Sequence, residues 1–139
     1  MFNKSGQIFL QRRGADKDTF PGWWDTSVGG HVDLGETPRE TALRELREEL
    51  GLTGEPRLIG EIAPMEKTGW EFVTVYELTT DQTPHWDGVE VVDGRWVSPE
   101  ELEPLLIHGE VALTPSFRET FAFWAGRQAA LLKESESTA

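Results

Sequence analysis

The stretch GHVDLGETPRETALRELREELGL, Gly30 to Leu52, decides how the rest of the chain is read. Its middle opens with Thr37-Pro38-Arg39-Glu40. That run offers a hydroxyl for the unpaired amides of a first helical turn, a proline whose backbone angle suits that position, and a glutamate three residues on. Leu43, Leu46 and Leu50 recur at i, i+3 and i+7 as a buried stripe, and Gly51 supplies a left-handed stop. A helix is therefore predicted over Pro38 to Leu50. At about 100° per residue, Glu45, Glu48 and Glu49 fall at i, i+3 and i+4 and share one face of it. Like charges so placed weaken a bare helix by a few tenths of a kcal/mol per pair and resist joint ionisation. The acids themselves leave two readings open: a solvated acidic face, ordinary for a Glu-rich helix, and a site where oxygens hold a hard dication.

The wider pattern weighs between them. Gly30, Glu36, Arg44, Glu45, Leu46, Glu48, Glu49, Gly51 and Leu52 reproduce G-x5-E-x7-R-E-U-x-E-E-x-G-U, where U is a bulky aliphatic, with every fixed position filled. This resembles the box of the Nudix family, a long and specific signature covering residues 30 to 52. The resemblance implies metal ligation by Glu45, Glu48 and Glu49 and by the carbonyl of Gly30, with Mg or Mn as the ion. It implies that Glu36 and Arg44 pair with each other and tie the loop to the helix. Family sites often use a further glutamate outside the box. Glu90 is the candidate here, in Glu90-Val-Val-Asp-Gly-Arg-Trp-Val, with an exposed strand-end acid as its other reading. The implied fold is the Nudix α/β/α sandwich, a mixed sheet between the box helix and a C-terminal helix, in a single domain over 1–139.

Residues 12 to 36 carry a narrower likeness. Arg12-Arg13, Lys17, Pro21-Gly22, Trp24, Ser27-Val28, Gly30-His31 and Leu34-Gly35-Glu36 are similar to the matching segment of isopentenyl diphosphate isomerases and their hydrolase-like relatives. There the positions of Arg13 and Lys17 contact the substrate diphosphate, and that of His31 is a metal ligand. Two cations in one loop suit phosphate oxygens, although an ordinary basic loop and a packed histidine are the plainer readings. Gly29 stands where the isomerases carry their catalytic cysteine, and the chain contains no cysteine. Isomerisation is therefore not expected.

Elsewhere, Gln7 to Gln11 reads as a strand. Lying so near residue 1 it would lack a partner from its own N-terminal side, which raises the expectation of a missing upstream strand. Arg12 to Trp24 reads as a loop, Thr26 to Val32 as a short strand, and Arg57 to Ala63, Trp70 to Thr79 and Val89 to Val97 as further strands. Ser98-Pro99 and Thr114-Pro115 repeat the helix-start chemistry of Thr37. Phe117, Phe121, Trp124 and Leu131 share a face of the last helix, and residues 134–139 are expected to fray. Phe20, Trp23, Trp24 and Trp70 have faces that could stack on a nucleobase, and Trp23 is the preferred one, while Trp86, Trp96 and Trp124 are assigned to packing.

Composition limits the partners. With 13 basic and 25 acidic side chains the net charge is -12, which repels nucleic-acid backbones but leaves a small phosphorylated substrate open, because bound metal ions reverse the field locally. The chain shows no signal peptide or membrane-spanning apolar run, so a cytoplasmic protein is expected. The absence of cysteine leaves oxygen or imidazole for any metal, which favours Mg or Mn. The expected activity is metal-dependent hydrolysis of a diphosphate linkage in a nucleoside diphosphate derivative or nucleoside triphosphate. The alternative is a non-catalytic module that binds metal and diphosphate. Many family members are dimers, and a homodimer is carried over on that ground alone.

Overall fold

A computed structural model describes residues 1–27, 32–66, 69, 71–109 and 111–138. Its elements in chain order are β1 (Ile8–Arg13), β2 (Trp24–Asp25), α1 (Pro38–Leu50), β3 (Arg57–Ile62), β4 (Val73–Glu77), β5 (Val91–Val97), α2 (Pro99–His108) and α3 (Pro115–Thr138). β1 is the middle strand of an antiparallel sheet ordered β2-β1-β5, with Ile8 opposite Val97 and Gln11 opposite Gly94. β3 and β4 form a second antiparallel pair.

Strand geometry sends successive side chains to opposite faces, and in β1 both faces are covered. Ile8 and Leu10 join Val97, Leu102, Leu113 and Phe117, the core beneath α2 and α3. Phe9 joins Leu46, Leu50 and Leu52, the core beneath α1. The result is the expected α/β/α sandwich. Its ladders are antiparallel, and its parallel character comes from single bridges between Phe2 and Thr79 and between Trp24 and Leu113.

Phe2 joins the two sheets. It bridges Ile8 on one side, and on the other its amide donates to the Leu78 carbonyl (2.8 Å) while its own carbonyl accepts from Thr80 (2.9 Å). Phe2 thus meets β1 through a single bridge. α3 braces the same junction: the Trp124 ring lies 4.9 Å from that of Phe2, and its indole nitrogen donates to Glu77 of β4 (2.5 Å). Gly60 of β3 admits the Phe123 ring so closely that a Cβ there would lie 2.8 Å from it.

The three helices start alike. The hydroxyls of Thr37, Ser98 and Thr114 accept from the amides of Glu40, Glu101 and Phe117 (3.2, 3.2 and 3.1 Å), each with proline next in sequence. Gly51 and Gly109, at φ 65° and 64°, end α1 and α2 as left-handed caps.

Several expectations shift. The strand predicted at Thr26 to Val32 is replaced by β2, because pairing with Gln11 and Arg12 falls on Asp25 and Trp24. Thr26, Ser27 and Val32 are not in a strand, and Val28 to His31 lie outside the described residues. β4 is shorter than Trp70 to Thr79, and Trp70 is likewise outside them. Leu131 is exposed, since α3 extends beyond the sheets by that point. α3 extends to Thr138, with no proline or glycine after Gly126 to interrupt it. Among the described residues no helix is long and apolar enough to cross a membrane.

Leu50 is fully buried between α1 and the sheet. Leu50→Ala is expected to cost about 2–5 kcal/mol in urea unfolding. A loss no larger than that of a surface substitution, about 0.5 kcal/mol, would show that α1 docks differently.

Candidate active site

The side of α1 that meets the end of β1 carries Glu45 and Glu49, one turn apart. Glu45 is 15% exposed at its side chain and hydrogen-bonds Glu49. From β1, the Gln11 amide nitrogen reaches Glu49 Oε2 at 3.3 Å. Burial pushes the Glu49 carboxyl up to about 7, and the hydrogen bond to Glu45 adds to the rise. The Gln11 amide and the charge of Lys17 act the other way.

Glu48 is set apart from this pair. Its side chain is 57% exposed and it takes a hydrogen bond from Arg44 Nη1 at 3.0 Å. Arg44 is the centre of a fork: Nε and Nη2 bind Glu36 at 2.9 and 3.0 Å, Nη2 also reaches Asp33 (3.1 Å), and Nη1 reaches Glu45 (3.3 Å). Glu36 further accepts from the Thr41 hydroxyl and the Asp33 amide. The Arg44 bonds hold Glu36 below the usual carboxylate range and hold the guanidinium more firmly protonated than usual. The expected Glu36–Arg44 contact is thus present, and through it the loop before α1 is fastened to the helix. Of the three acids expected to ligate metal, Glu45 and Glu49 meet, and Glu48 bonds Arg44 instead. Among the described residues no group of three or more His, Cys, Asp or Glu side chains is arranged to hold a metal. Gly30, the expected carbonyl ligand, and His31 lie outside them.

Across from α1, Lys17 forms an ion pair with Glu90. The turn before β5 is rigidly made. Asp87 Oδ1 accepts from the amides of Val89 (2.8 Å) and Glu90 (3.1 Å), which holds the Asp87 carboxyl low. The Gly14 amide donates to the Glu90 carbonyl (3.1 Å), and a Cβ at Gly14 would lie 2.0 Å from the Val89 oxygen. No side chain fits there, so the two loops carrying Lys17 and Glu90 rest backbone on backbone.

Arg13 is used differently from expectation. Its guanidinium binds Asp25 (3.2 Å) and the carbonyl and hydroxyl of Thr19 (3.0 and 3.3 Å), and Asp25 accepts in turn from Thr114 (2.8 Å). Arg13 therefore ties its loop to β2 and the start of α3. Trp23 tilts against Phe20 with ring centres 4.9 Å apart and lines a groove with Val111, Pro115 and Arg118, on the α2–α3 side of the sheet. A cavity of about 460 Å³ lies between α1, β4 and the start of α3, and its described lining includes neither Glu45 nor Glu49.

Two half-buried carboxylates joined by a hydrogen bond, facing a buried amide, make a set of hard oxygen donors. Such a set fits Mg or Mn and suits no soft metal. Gln11, Asp33 and Gly14 were not anticipated. Gln11 could have been noticed as the polar residue that breaks the apolar run Ile8-Phe9-Leu10, whereas nothing local marks Asp33 or Gly14.

The family model described as NUDIX domain matches residues 1–117. The chain belongs to the Nudix family. A protein named Nudix hydrolase from Deinococcus radiodurans is 38% identical over 113 residues, covering 79% of this chain and 66% of the relative. The chain thus spans just under two thirds of that relative's length. An isopentenyl-diphosphate Delta-isomerase from Nocardia farcinica is 35% identical over 127 residues, 86% of this chain and 71% of that protein. This Nudix chain therefore stands in the branch that its residues 12 to 36 suggested. A crystal structure of a Deinococcus radiodurans protein superposes with a TM-score of 0.71 at 38% identity, covering 80% of this chain and 70% of that one.

Because the folded state holds the Glu49 proton up to about 7, against an ordinary value of 4.5, this group's contribution to stability is full at pH below about 4.5 and is lost as pH rises through 7. In EDTA, the urea midpoint of wild type relative to Glu49→Gln is expected to fall across that window. A difference independent of pH would show that Glu49 titrates normally.

Proposed function

We propose that this protein is a metal-dependent pyrophosphohydrolase that cuts a diphosphate linkage in a nucleoside diphosphate derivative or nucleoside triphosphate. The observation that carries the reading is the Glu45–Glu49 pair, held half-buried on the box helix within the electrostatic reach of Lys17. Family membership and relatives named as Nudix hydrolases support it.

A hard divalent ion, Mg or Mn, would be held by Glu45 and Glu49, with the Gly30 carbonyl and, once it leaves Arg44, Glu48 as further oxygens. When bound, it supplies positive charge beside phosphoryl oxygens and makes a nearby water more acidic. The chain's own groups do the rest. Lys17 meets the diphosphate, because Arg13 is already committed to Asp25 and Thr19. A diphosphate that draws Lys17 toward itself frees the Glu90 carboxylate from its ion pair, and Glu90 or one of the box carboxylates then takes the proton of the attacking water. That water bonds to phosphorus as the anhydride oxygen leaves with a phosphate ester. The Glu36–Arg44 fork fixes the loop before α1 so that the box carboxylates keep their places. Trp23 is given no part in this reading, because its groove lies on the α2–α3 side of the sheet and the carboxylate pair on the α1 side. Isomerase chemistry is not proposed, because the chain has no cysteine to serve as its acid.

With Mg present, assays over nucleoside triphosphates, nucleoside diphosphates, sugar nucleotides and dinucleotides should show release of phosphate or a phosphate ester from at least one class. A module that only binds would release none. Glu45→Gln is expected to lower kcat by about a hundredfold or more, beyond the 10–100-fold typical of outer partners, with its fold intact by circular dichroism.

Lys17 and Glu90 separate in kinetics. Lys17→Met should raise KM more than it lowers kcat, and Glu90→Gln should do the reverse. Equal effects on both parameters in both variants would remove the assigned roles.

A further inference from the structure

Gln11 is buried, at 7% exposure, in the middle of β1, on the strand face that meets α1. Its amide nitrogen donates to Glu49 Oε2 at 3.3 Å. Its amide oxygen is buried too and has no hydrogen-bond partner among the described residues, a condition it shares there with Ser27 Oγ alone. Turning the amide over only moves its nitrogen into the unpartnered place, so one polar atom of the amide stays unsatisfied either way. Buried polar atoms in folded proteins are nearly always satisfied, so an unsatisfied acceptor bonded through its own amide to a site carboxylate points to something that the site receives. Nor is Gln11 required for packing. Its neighbours on β1, Ile8, Phe9 and Leu10, are apolar, and a leucine would satisfy the same strand position.

We propose that Gln11 is a positioning residue of the divalent-cation site: its amide nitrogen holds the Glu49 carboxylate in place, and its oxygen is the acceptor offered to the ion or its hydration shell. This rests on the reading of Glu45 and Glu49 as the ion's ligands, and deepens it by adding a neutral oxygen from the central strand.

The test is Mn(II) binding by electron paramagnetic resonance, with no substrate present, beside thermal unfolding of each metal-free variant. Gln11→Leu is expected to weaken Mn(II) binding about tenfold, in the range typical of groups that orient metal ligands, and to keep or raise the unfolding temperature. Gln11→Met, closer to glutamine in shape and likewise without the amide donor and acceptor, is expected to weaken Mn(II) binding to a similar extent. A folded Gln11→Leu variant that binds within about twofold of wild type overturns the proposal. So does a folded Gln11→Met variant that binds within about twofold of wild type, and this decides the matter should Gln11→Leu not fold. A wild-type protein that binds no Mn(II) overturns the metal reading and the proposal together, whereas unequal loss in Glu45→Gln and none in Gln11→Leu sinks the proposal alone.

Discussion

A strand covered on both faces has no position free for a polar side chain, and β1 lives under that constraint. Ile8 and Leu10 serve the core of α2 and α3, Phe9 serves the core of α1, and both helix layers depend on this alternation. At Gln11 the run turns polar just where α1 presents Glu49. The sheet thus passes from building a core to meeting a site within a single residue, and the acids of α1 are half-buried because the strand beneath them is still fully packed.

The half-burial sets the chemistry. Were Glu45 and Glu49 solvated, their mutual repulsion would be screened and would cost little. Pressed against the sheet, the pair holds a proton well above the ordinary range of a carboxylate, so any cation that takes its place is bound by strongly basic oxygens. Arg44 works against a third member, since its fork holds Glu36 and Asp33 with two nitrogens and draws Glu48 outward with the other.

Helix positions were legible in the sequence because helix ends are local chemistry: a hydroxyl, a proline and a terminal glycine each act within one turn, and Thr37, Ser98 and Gly51 did so as read. The box carboxylates were legible for the same reason, their spacing being short and periodic. Strand limits were less so. β2 is two residues long, and its place was chosen by its partner, Gln11 and Arg12 of β1, which no local pattern displays. The direction in which a side chain spends its hydrogen bonds was also hidden. Arg13 reads as a phosphate grip from its loop, yet Asp25 and Thr19, brought near by the fold, take up its donors. Glu48 looked equivalent to its neighbours on a helical wheel, and only the reach of Arg44 separates them.

The bare contact of Gly14 with Val89 has a mechanical meaning. Two loops that touch through main chain, with an amide bond between them and no side chain to flex, cannot slide independently. They form one stiff lip, with a cation on its first part and an acid on its second. The main chains on either side of the Lys17–Glu90 pair are already held together, so opening that pair asks for movement of side chains and leaves the loops where they are.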